Sequence, residues 1–89
     1  MRAVITVIGK DRVGIIAGVS AELAKAGINI LDISQTTLQE YFAMIMLVDM
    51  AGTTEGFLAT QKKLSRKGAE LGVQVKMQRE DIFNVMHQV

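Results

Sequence analysis

The chain passes from helix to strand twice through the same device. LAKAGINI at residues 23–30 and GAELGVQV at residues 68–75 each end a helically spaced stretch on a glycine and continue into apolar alternation. A glycine just past the last helical turn is the usual stop, because it takes the left-handed conformation without steric cost. Two such joints fix helix ends near residues 26 and 71 and demand a strand directly after each. No close sequence repeat accompanies them, so the likeness of the two halves is one of structure only.

The flanking stretches complete the pattern. AVITVI, residues 3–8, is a β-branched apolar run bounded by Gly9 and reads as a buried strand. Residues 14–26 follow with Ile16, Val19 and Leu23 at helical spacing, padded by Ala17, Ala24 and Ala26. Residues 28–38 predict a second strand and YFAMIMLV, residues 41–48, a third, joined through the short polar turn Gln39–Glu40. Thr53 or Thr54 is expected to cap a second helix, with Glu55 in its first turn and Phe57, Leu64, Gly68 and Leu71 on its buried stripe. VQVKM, residues 73–77, alternates as a strand with one wet face or an edge position. The order strand, helix, strand, strand, helix, strand, with right-handed crossovers, predicts an α+β ferredoxin-like βαββαβ sandwich. Its four-stranded antiparallel sheet carries both helices on one face.

That arrangement leaves one sheet face uncovered, yet the first and third strands are apolar on both sides: Val4, Thr6 and Ile8 oppose Ala3, Ile5 and Val7, and Phe42, Met44, Met46 and Val48 oppose Ala43, Ile45 and Leu47. A bare apolar face is an association site. Residues 1–79 form the domain. Residues 80–89, EDIFNVMHQV, predict a helical tail whose Ile82, Phe83, Val85, Met86 and Val89 would pack on the sheet or on a partner subunit. A chain of 89 residues builds a core of marginal size, and a homodimer is expected.

Composition narrows the function classes. The absence of cysteine removes disulfides, zinc-thiolate sites and cysteine nucleophiles, and agrees with a reducing compartment. Lys10, Asp11 and Arg12 interrupt the first apolar run, which is no signal peptide, and no window suits a membrane span; a cytoplasmic protein with no membrane partner is expected. Six basic residues against one acidic in 60–79 read as a solvated helix face, and nucleic acid is not expected as a partner, since the strands lack the aromatics an RNA platform needs. His87 is the only histidine and has no second histidine or cysteine to share a metal. No Ser–His–Asp order, HExxH or EF-hand spacing occurs, so neither catalytic residues, metal ligands nor a cofactor are assigned.

What remains is the glycine-rich turn GKDRVG, residues 9–14. It is neither a Walker A loop nor GxGxxG. Gly14 lets the backbone approach a ligand, and the first amides of the helix lack intrahelical acceptors, so they can donate to a small carboxylate. Asn29 offers an amide suited to an amino or carboxyl group. The helix separates the two by roughly 20 Å, so a shared pocket would take Asn29 from a second subunit. Glycines at helix starts and Asn at a strand start also occur as plain turn residues.

VIGKDRVGIIAGVSAELAKAGINILDISQ resembles the signature of the ACT domain, a small regulatory module of amino-acid metabolism. The likeness lies in the strand ending at Gly9, the Asp11-Arg12-x-Gly14-Ile15 turn, the helix with Leu23 and Gly27, and Asn29-Ile30 opening the second strand, and it extends over residues 3–79. The stand-alone form looks most like small bacterial ACT proteins related to glycine cleavage system regulators. The resemblance implies a non-enzymatic regulator whose dimer binds a small amino acid between subunits and signals to a separate protein. By position, the implied ligand residues are Asp11, Arg12, Gly14, Ile15, Asn29 and Ile30. Serine-binding members usually have a His and an Asn in the first loop, where this chain has Gly9 to Asp11. The alternative is a ligand-free interaction module that dimerises through its sheet.

Overall fold

The computed structural model describes residues 1–86. Its elements are β1 (Arg2–Lys10), α1 (Ile15–Lys25), β2 (Asn29–Leu38), β3 (Tyr41–Asp49), α2 (Phe57–Leu71), β4 (Val73–Arg79) and α3 (Glu80–Met86). The four strands form one antiparallel sheet in the order β2-β3-β1-β4, which is the expected ferredoxin-like βαββαβ arrangement.

Strand alternation sorts the sheet into two faces. Ile5 pairs with Met46 and Met77, and Val7 with Met44 and Val75. These side chains meet Ile15, Val19, Leu23 and Leu64 of the helices in the core. Two readings of helix faces are corrected. Ile15, not Ile16, is the first core residue of α1, with Ile16 exposed. In α2 the buried positions are Thr60, Leu64 and Gly68, while Phe57 and Leu71 are only half-buried. The Thr60 hydroxyl lies buried without penalty because it donates to the Gly56 carbonyl one turn back, at 3.1 Å.

The start of α2 also differs from expectation. The helix begins at Phe57 after Gly56, and neither Thr53 nor Thr54 caps it. The Thr53 hydroxyl instead donates to Ala26 O at 2.7 Å and accepts from the Glu55 amide at 3.1 Å, which ties the loop to the end of α1. That loop sits hard against Gly27. Gly27 has φ +74°, its amide donates to Ala24 O and that of Ile28 to Leu23 O, which together close the helix end. A Cβ on Gly27 would also stand 2.8 Å from Gly52 O. The glycine of the first joint is therefore required twice, by conformation and by space.

On the other face, Val4, Thr6 and Ile8 of β1 pair with Leu47, Ile45 and Ala43 of β3. Ile8 and Ile45 are about half exposed, as the two-sided apolar pattern implied, whereas Val4 is buried. The short helix α3 touches β1 and β4, and Arg2 grips Glu80 through two bonds of 2.9 and 2.7 Å at its first residue. Of the apolar tail residues, Ile82 is exposed and Phe83 half-buried; His87 and Val89 lie outside the described residues. β2 is the barest element. Every residue except the half-buried Ile30 is exposed, and a bulge at Leu31 interrupts its register with β3.

Candidate ligand site

Loop 1, residues 11–14, connects β1 to α1 and is anchored through its first two residues. The Asp11 amide donates to Glu40 O at 2.7 Å, anchoring the loop to the β2–β3 turn. Arg12 reaches across the molecule, its Nη1 donating to Leu71 O at 3.2 Å. There the guanidinium satisfies one of the carbonyls that the end of α2 leaves open, where a cation also suits the helix dipole. After these anchors Val13 is fully exposed and Gly14 turns the chain into the helix.

Gly14 holds φ +94° as the residue preceding α1, and no side chain caps the helix. A Cβ there would meet nothing within 4 Å, so this glycine is required by conformation and not by crowding. α1 has no acidic side chain in its first turn to compete for its amides. Gly18 N bonds back to Gly14 O at 2.8 Å, so the helix ladder starts there and the three preceding amides have no acceptor within it.

Of the six site residues read from the sequence, Asp11, Arg12, Gly14 and Ile15 are thus brought together at one end of α1. Ile15 contributes only backbone, since its side chain lies in the core. Asn29 and Ile30 lie at the opposite end, beyond an eleven-residue helix that spans about 16 Å. Asn29 pairs with Asp49 and is exposed, while Ile30 pairs with Val48 and is half-buried. Within one protomer the two groups do not meet. Glu40 is a member of the loop 1 surroundings that sequence spacing did not reveal; its carbonyl reaches Asp11 only because the β2–β3 turn folds beside the end of β1.

Among the described residues no cluster of His, Asp or Glu could hold a metal ion, and no helix is long and apolar enough to cross a membrane. At the start of α1 the first helix amides are donors of the kind that suit a small anion; the Arg12 guanidinium is turned to Leu71 O and Asn29 lies at the far end of the helix.

Known proteins place this architecture. A UPF0237 protein from Clostridium acetobutylicum is 58% identical over 89 residues, covering all of both chains. An ACT domain protein from Streptococcus pneumoniae has a similar structure, with a TM-score of 0.81 and 43% identity over 93% of each chain. A protein assigned as a glycine cleavage system transcriptional repressor aligns with TM-score 0.75 and 27% identity, over 86% of this chain and 44% of its own. The ACT domain model matches residues 2–78. With the element order and the match over nearly the whole sequence agreeing, the chain belongs to the ACT domain family.

Proposed function

We propose that this protein is a non-enzymatic regulator that binds a small amino acid between the subunits of a homodimer and passes the signal to a separate protein. ACT domains are regulatory modules that commonly bind amino acids. The observation that carries the reading here is the uncapped start of α1 behind Gly14, where a Cβ would meet nothing within 4 Å. Its free amides take the ligand carboxylate. Asp11 is placed to meet the ligand ammonium, and Arg12 offsets its charge. Asn29 and Ile30 come from the other subunit, because α1 holds a protomer's own pair too far away. Binding at such a seam stabilises the dimer by the ligand's differential affinity for it. The lack of cysteine suits a reducing cytoplasm.

A thermal-shift screen of the twenty amino acids tests this. At least one small amino acid is expected to raise the melting temperature of the wild type and not that of Asn29→Ala. The second reading, a ligand-free module held together by its sheet, is favoured by the half-exposed Ile8, Ile45 and Tyr41 on the uncovered face. It prevails if no amino acid shifts the wild type while the dimer persists.

A further inference from the structure

The outer edge of β4 offers a second surface, independent of loop 1. Two adjoining hollows of about 440 and 480 Å³ run along it beside α2, sharing Ser65, Val75 and Lys76 in their walls. Consecutive residues 75–78, from both faces of the strand, line the first, so the hollow follows the strand's edge and not one face.

Gln61 of α2 donates through Nε2 to Met77 O at 3.0 Å, so this carbonyl points away from β1. Successive residues of a strand alternate, so Val75 and Val73 point outward as well. The closeness of Val73 O to Gly68, 2.9 Å from where a Cβ would sit, agrees. α2 thus covers the two ends of the edge, Val73 O through Gly68 and Met77 O through Gln61. The amide and carbonyl of Val75 face the hollow between them. Gln61 stands where the amide of an added strand would donate.

Charge selects the occupant. Lys62 on the α2 rim and Lys76 on the strand both line the hollow, and among the described residues neither is in an ion pair. A second copy paired through β4 would bring two sets of these lysines together. Lysine on an edge strand discourages such self-pairing, but it favours a segment that carries carboxylates. We infer that the β4 edge binds an extended acidic segment of another protein, paired through the Val75 amide and carbonyl while Gln61 keeps its bond to Met77 O. Glutamates of alternate residues meet Lys76, while the intervening apolar side chains lie toward α2 beside Val75 and Met77, where Ser65 leaves room.

The probe is acetyl-(Glu-Val)4-amide, titrated at low salt into the 15N-labelled full chain, with acetyl-(Lys-Val)4-amide as the control. The acidic peptide is expected to shift the Val75 and Met77 amides and slow hydrogen exchange at Val75, and the basic one to do neither. Lys76→Glu should weaken the acidic peptide about fivefold, the scale of one cross-strand charge pair. Val75→Pro should abolish binding, since it removes an outward donor without touching the ladder to β1. Equal binding of both peptides, undiminished binding to Lys76→Glu, or shifts that avoid β4 would overturn the inference. So would changes at these amides with protein concentration alone, which would make the occupant a second copy.

Discussion

Two glycines at the ends of α1 do different work, and their substitution separates conformation from space. Gly14 and Gly27 both have positive φ, so alanine at either is strained by about 1–2 kcal/mol. At Gly14 that strain is the whole cost, because the position is open. At Gly27 the new methyl also meets Gly52 O, so Gly27→Ala should destabilise clearly more than Gly14→Ala in urea unfolding. Both glycines were legible in the sequence as punctuation, but the difference between them was not, since it depends on a loop 25 residues downstream. Arg12 shows the same limit. Its place in the turn was plain, yet its bond to Leu71 joins residues 59 apart, and only the closed fold brings them within reach.

At the scale of elements, the helices agree with the sequence in number and order, but α2 starts later, at Phe57, and the buried faces differ in phase. Ile15 and Ile16 are adjacent and identical, so periodicity alone could not say which enters the core; the turn at Gly14 sets the phase and buries the first. Thr53 and Thr54 both suit a helix cap by chemistry, but for Thr53 the Ala26 carbonyl is a competing acceptor supplied by another part of the chain. The contact between α2 and β4 rests on Gly68, where a Cβ would lie 2.7 Å from Val75 Cγ2. Gly68→Ala should therefore cost about 1–3 kcal/mol through overpacking. It should also disturb the amide resonances of β4 more than those of β2, which separates displacement of α2 from general loosening.

At the scale of the whole molecule, the exposed length of β2 and the distance between the two proposed ligand groups are the grounds for the proposed second copy. Light scattering is expected to give twice the chain mass, and dilution should shift it toward single chains less readily when the amino acid found by thermal shift is present. A mass of one chain at all concentrations, with or without that amino acid, would remove the shared site. The order of strands and helices, the two glycine stops and the loop 1 motif were determined by the sequence itself, because they rest on local backbone preference and short-range periodicity. Which isoleucine is buried, what Arg12 and Thr53 bond to, and how α2 leans over β4 were decided only by tertiary structure. Those outcomes depend on groups distant along the chain competing for the same partners and the same space.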